Sequence, residues 1–100
     1  MFKGTIRVGT AVEARLTLDA TASATALLFI GFGSSAGGRS DSVAVAPGGS
    51  GTVRVTATER GILRVLVDLS ADSDAGRLLV RPATPEEAIR GDTAWGYVVA

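Results

Sequence analysis

A serine in a glycine-rich segment is the first candidate for catalytic chemistry. The segment Phe29–Gly38 reads FIGFGSSAGG, and its residues 33–37 match the G-x-S-x-G pattern that places Ser35 at a hydrolase nucleophile position. Such a serine needs a general base, but the chain contains no histidine and its one lysine is Lys3. The glycines that follow are also poor starters of the helix that this turn requires. We therefore predict a loop between strands, with no catalytic residue.

The same segment also resembles a nucleotide-binding fingerprint. Residues 31–36 match G-x-G-x-x-A, but those glycines hold a phosphate only at a helix N-terminus inside a parallel βαβ unit. The following segment is instead a strand candidate, and no lysine follows the glycines as a Walker loop would need. We expect no bound cofactor.

Three aspartates could form a calcium site. Asp68, Asp72 and Asp74 lie within seven residues and precede Gly76, and carboxylates are the ligands that Ca²⁺ prefers. Their spacing departs from the D-x-[DN]-x-[DN]-G loop, and no closing Glu follows. Asp and Ser are ordinary turn residues, so we predict a turn without metal and keep calcium at Asp72 and Asp74 as the alternative.

The two largest aromatic residues could bind a sugar. Trp95 and Tyr97 are two positions apart on a predicted strand and therefore share one face. That face could form a stacking platform for a carbohydrate or could belong to the core. Large aromatics are mostly buried, so we favour the core.

The composition excludes several classes of function. Ten basic residues balance ten acidic ones, and the arginines are scattered from Arg7 to Arg90, so we expect no nucleic-acid partner. The chain lacks His, Asn, Gln and Cys, which removes the groups most used for proton transfer at neutral pH. We therefore expect a protein that is not an enzyme.

The N-terminal and apolar segments bear on location. No apolar run follows Lys3 as in a signal peptide, and residues 20–38 are too rich in Thr, Ser and Gly for a membrane-spanning helix. We expect no membrane partner. A chain without cysteine fits a cytoplasmic or particle-associated location.

The elements that position these residues are mostly strands. In VEARLTLD, Val12 to Asp19, apolar and polar residues alternate, as in a half-buried strand. Similar patterns predict about eight strands, at 2–8, 12–19, 24–32, 42–46, 51–58, 62–69, 76–81 and 93–99. Turn residues separate them. We therefore predict one all-β domain over residues 1–100, an antiparallel β-sandwich of immunoglobulin-like or jelly-roll type.

One segment predicts a helix instead. Thr84, Pro85 and Glu87 match an N-cap, a first helical position and the third residue of a capping box, and Gly91 can end the helix. The sequence therefore predicts a short helix over residues 85–90.

Two predicted strands are apolar on both faces, which suggests what the protein does. Leu27 and Phe29 oppose Leu28, Ile30 and Phe32 in one strand, and the strand at 62–69 carries Ile62 and Leu66 opposite its main apolar face. The second face needs a cover, either the short helix or another subunit. We predict a structural or interaction module that self-associates through apolar strand faces or an edge strand.

The first candidates for that interface are Arg39 with the glycine segment, and the strand of Trp95. The alternative is a carbohydrate-binding module that uses Trp95 and Tyr97, with calcium at Asp72 and Asp74. An enzyme whose site is completed by a partner chain is a third hypothesis.

Overall fold

Nine β-strands and no helix make up the fold. The computed structural model describes residues 1–100. The strands are β1 (Phe2–Ile6), β2 (Ala11–Leu18), β3 (Ala26–Ser34), β4 (Gly37–Val45), β5 (Ser50–Thr56), β6 (Gly61–Asp68), β7 (Ala75–Arg81), β8 (Thr84–Arg90) and β9 (Thr93–Val99). The all-β prediction is confirmed, with one strand more than expected.

The strands form two sheets that pack as a sandwich. The five-stranded sheet has the order β1-β9-β6-β3-β4, and the four-stranded sheet has the order β5-β2-β7-β8. All pairs are antiparallel except β1 with β9, which is parallel. The predicted antiparallel sandwich thus has one parallel pair, at the edge of its larger sheet. β1 and β9 are the first and last strands of the chain. A hairpin cannot join them, so they pair only when the whole sheet assembles.

Alternating apolar residues of both sheets fill the space between them. The core contains 23 buried apolar residues. In β2 the predicted inward set, Val12, Ala14, Leu16 and Leu18, is at most 1% exposed. Because side chains of a strand point alternately to opposite faces, the same pattern leaves the intervening residues of β2 on the outside of the sandwich.

The predicted helix at residues 85–90 is wrong, because this segment is strand β8. It pairs with β7 from Ala75 opposite Arg90 to Val80 opposite Thr84. Ile89 is the one large apolar residue of this segment, and it is buried. A two-turn helix here would have no apolar stripe to pack on the core and would be too short to be stable alone. An edge strand accepts Pro85, whose missing N–H costs no ladder bond there.

The glycine segment is a hairpin and not the predicted loop. β3 continues to Ser34, a two-residue turn follows at residues 35–36, and β4 begins at Gly37, five residues before the predicted strand at 42–46. Gly37 has a φ of +134°, a conformation that glycine adopts readily. The pairing is regular from Ala26 opposite Val45 to Ser34 opposite Gly37. The strands predicted at 24–32 and 42–46 are thus parts of β3 and β4, but the glycines and serines between them gave no local indication that both strands continue to the turn.

Candidate functional site

Ser35 lies at the tip of the β3–β4 hairpin. Its side chain makes no hydrogen bond, whereas the neighbouring Ser34 Oγ donates to Glu59 Oε1 at 2.8 Å and accepts from the Ala36 N–H at 3.2 Å. Neither serine faces a base other than this carboxylate. The glycines of this segment lie in the β3–β4 hairpin and on the surface of the five-stranded sheet.

The three aspartates of the possible calcium site do not converge on a common centre. Asp74 is 4% exposed, and its carboxylate accepts the Ser23 N–H at 3.0 Å and the Ser23 hydroxyl at 2.8 Å. Asp68 lies on β6, opposite Leu27. No group of three or more His, Cys, Asp or Glu side chains is placed to hold a metal ion. In this structure Asp74 therefore links loops within the chain.

Trp95 and Tyr97 share a face, as predicted, and that face is the core. They are 6% and 0% exposed, so neither ring presents a stacking surface for a sugar. Lys3 Nζ lies 4.5 Å from the centroid of the Trp95 ring and bridges to Glu87 Oε1 at 3.2 Å. The cation thus joins β1 to β8 across the open side of the sandwich.

The hydroxyl of Tyr97 lies in an environment that changes its pKa. Burial raises the pKa of Tyr97, the hydrogen bond with Thr84 Oγ1 at 2.6 Å lowers it in part, and the Glu87 carboxylate adds a smaller upward contribution. Thr84, the predicted helix cap, instead satisfies this buried phenol. The pair ties the start of β8 to the centre of β9.

The outer side of the five-stranded sheet carries the exposed apolar residues. We call this surface the apolar sheet face and define it by Phe2 of β1, Leu27 and Phe29 of β3, Ile62 and Leu66 of β6 and Val98 of β9. Cross-strand pairing places Phe29 opposite Leu66, and Ile62 opposite Val98. Leu27 is 46% exposed and Phe2 is 63% exposed. No helix covers the face, so the short helix, one of the two covers expected for β3 and β6, is absent.

Glycines shape this face into ridges and hollows. A Cβ on Gly31 would lie 2.7 Å from the Phe29 ring, and one on Gly96 would lie 3.3 Å from the Phe2 ring. The two aromatic rings therefore rest on bare backbone. A Cβ on Gly33 would meet nothing within 4 Å, so the surface beside Ile62 stays open. The face therefore combines two aromatic ridges with an open hollow at Gly33.

Two opposite charges flank the centre of the apolar sheet face. Arg64 and Asp68 lie on β6, two residues before and two residues after Leu66, and all three point outward. Neither charge forms a salt bridge within the chain, whose salt bridges join Lys3 with Glu87, Arg54 with Glu13, and Arg77 with Glu86. The face therefore has one unpaired cation and one unpaired anion, symmetrically placed about Leu66.

The outer side of the four-stranded sheet is polar by contrast. Two of the three salt bridges lie on it, Arg54–Glu13 and Arg77–Glu86. Thr17 of β2 also hydrogen-bonds Ser50 of β5 across this surface. The two sides of the sandwich thus differ in polarity, and only one is suited to burial against another apolar surface.

The sequence predicted part of this site. The second apolar faces of β3 and β6 were expected from their alternation, as was a role for the strand of Trp95. The contribution of Phe2 and Val98 was missed, although Val98 alternates with the core residues Trp95 and Tyr97 and so belongs to the opposite face. Arg39, the other interface candidate, lies on β4 and lines a pocket beside Phe29 and Ile62 at the edge of this face.

Comparison with protein-family models found no match for the chain, and comparisons with curated proteins and with solved structures found none either. No helix in the structure has the length and apolar character needed to cross a lipid bilayer.

Proposed function

We propose that this protein is a non-catalytic structural or interaction module that self-associates through the apolar sheet face. The single observation that carries the proposal is the exposed apolar surface on one side of a sandwich whose other side is polar. A cytoplasmic or particle-associated location belongs to the same proposal.

A second copy of the chain is the occupant that the charges favour. If two faces meet about a two-fold axis at Leu66, with the β6 strands antiparallel, Arg64 of each copy lies opposite Asp68 of the other. The two charges are about 13 Å apart along β6, since a strand rises about 3.3 Å per residue. Sheets that pack face to face keep their strands within about 30°, so long side chains can complete both ion pairs.

The size of the face sets the expected strength of association. Five strands about 4.8 Å apart, with about seven residues each, give a face of about 24 by 23 Å. Two such faces cover about 1,000 Å², near the lower limit for specific interfaces. We therefore expect a dimer with a dissociation constant of about 1–100 µM, not an obligate assembly.

Sedimentation velocity over a range of concentrations tests the proposal with a matched pair of variants. Leu66→Asp places a charge at the centre of the face and is expected to weaken the dimer by about tenfold or more. Thr52→Asp adds the same charge to an exposed position of β5 on the polar side and is expected to dimerise like the wild type. A wild type that stays monomeric up to about 1 mM refutes self-association.

A charge exchange tests the geometry. Arg64→Asp alone sets like charges against each other across the axis and weakens the dimer. The double variant Arg64→Asp with Asp68→Arg restores the opposite-charge pairs and is expected to recover most of the affinity. If the double variant is as weak as the single one, the proposed axis is wrong.

A further inference from the structure

A cleft lies at the end of the four-stranded sheet where β2 begins and where β5 and β7 end, and it extends to the edge strand β4 of the other sheet. It has a volume of about 660 Å³ and is lined by residues from both sheets, which is within the range of small-molecule sites. Three arginines from three strands line it, Arg39 of β4, Arg54 of β5 and Arg81 of β7. We call it the arginine cleft.

The pairing of three strands brings two of these arginines together. Glu13 of β2 lies directly opposite Arg54 on one side and opposite Arg81 on the other. Its Oε1 accepts from Arg54 Nη2 at 2.8 Å and from Arg54 Nε at 3.1 Å. Arg81, although adjacent in the sheet, forms no salt bridge with this carboxylate or any other.

The third arginine comes from the other sheet. Arg39 belongs to β4 and reaches the cleft beside Ser40, and it also lacks a salt-bridge partner. The nearby Asp41 accepts the Ser42 N–H at 3.0 Å and the Arg54 N–H at 3.1 Å, so its carboxylate is engaged by backbone. Two guanidinium groups therefore remain unpaired at one cleft in a chain of zero net charge.

We infer that the arginine cleft binds a small organic anion that carries two or more carboxylate or phosphate groups. A guanidinium fork matches the oxygens of such groups in pairs, and Arg39 and Arg81 offer one fork each. The hydroxyl of Thr56 lines the cleft as well, and Val55 and Pro82 supply an apolar wall for the body of the ligand. The cleft comes close to the apolar sheet face at β4, because Arg39 and Ser40 also line a pocket beside Phe29 and Ile62, so the test must separate anion binding from self-association.

The inference is tested by titrating the protein with pyrophosphate and with citrate at low ionic strength. Binding is measured by isothermal titration calorimetry and by backbone NMR chemical-shift changes. Pyrophosphate represents phosphate ligands and citrate represents carboxylate ligands, so the tighter binder identifies the class. We expect saturable binding of at least one of them, with shifts centred on the cleft. Added salt weakens it, since exposed charges are screened.

Matched variants separate the cleft from the net charge of the protein. Arg39→Gln and Arg81→Gln each remove one fork and are expected to lower the affinity about five- to tenfold. Arg77→Gln removes the same charge from the same face of β7, outside the cleft, and is expected to change the affinity less than about twofold. All three positions are exposed, and a thermal melt checks that each variant folds.

Two results overturn the inference. One is the absence of saturable binding of both anions, and the other is an equal loss of affinity in Arg77→Gln and Arg81→Gln. Repeating the titration in the Leu66→Asp background separates it from the proposed function, since binding there is expected to persist whether or not the wild type dimerises.

Discussion

Removing the carboxylate of Asp74 should destabilise one end of the sandwich. Asp74 precedes β7, and its side chain binds the N–H and the hydroxyl of Ser23 in the β2–β3 loop. Its backbone oxygen accepts from the Gly91 N–H at 2.9 Å, and its own N–H donates to Ala71 at 3.0 Å. One buried residue thus connects three loops that are far apart in sequence.

The size of the effect follows from these contacts. Hydrogen bonds to a charged group contribute about 1.5–3 kcal/mol, and a buried donor left without its partner adds a desolvation cost. Because Asp74 is 4% exposed, we expect Asp74→Ala to lower the free energy of unfolding by about 2–4 kcal/mol. For a domain of this length that corresponds to a fall in melting temperature of about 10 °C or more. Asp74→Asn keeps one acceptor and is expected to lose about half as much.

Urea unfolding followed by tryptophan fluorescence measures this loss. Trp95 is the only tryptophan and is buried, so its emission reports the core of the domain. Asp72→Ala is the matched control, because Asp72 is exposed and its carboxylate makes no hydrogen bond; it should stay within about 0.5 kcal/mol of the wild type. If Asp74→Ala also stays within that margin, the view of Asp74 as a structural link is refuted.

Two further predictions concern β9 and β6. Tyr97→Phe removes the hydroxyl bound to Thr84 and is expected to cost about 1 kcal/mol at neutral pH. Because burial raises the pKa of Tyr97, the folded state keeps the phenol proton above about pH 10 while the unfolded state loses it. Stability therefore falls as pH rises above that value, and Tyr97→Phe should show a smaller fall in urea unfolding. Gly61→Ala directs a Cβ onto the backbone oxygen of Gly33, so we expect a loss of about 3 kcal/mol in thermal unfolding.

Each of these predictions has an internal control. Wild type and Tyr97→Phe differ only in the phenol hydroxyl, so the difference between their alkaline profiles reports that group; identical profiles contradict the assignment. Gly33→Ala lies on the neighbouring strand with nothing within 4 Å of its added Cβ, and it should cost much less than Gly61→Ala. Equal losses in the two alanine variants would show that the close contact is not the cause.

Local alternation explains why most strands could be predicted. In β2 the apolar residues occupy every second position and so lie on one face of the strand. Any sandwich that buries this face buries the same residues. The burial of Leu16 and Leu18 therefore followed from the sequence. The same reasoning identified β3 and β6 as apolar on both faces, although it left open whether a helix or another molecule covers the second one.

The segment Thr84–Arg90 shows how tertiary contacts override a local signal. A helix cap contributes only about 1 kcal/mol, whereas pairing with β7 satisfies the backbone along the segment and buries Ile89. The continuation of β3 to Ser34 and the start of β4 at Gly37 were missed for a different reason. The glycines and serines there have little strand propensity, and the pairing of β4 with β3 decides their conformation.

The sequence by itself determined that this protein is a β-sandwich and that it has apolar surface beyond its core, because both depend on which residue types alternate along a strand. Only the tertiary structure decided the rest. It placed Phe2 and Val98 on the same sheet face as Leu66 and gathered Arg39, Arg54 and Arg81 at one cleft. These arrangements depend on the order and register of strands distant in sequence, which the packing of the whole chain fixes.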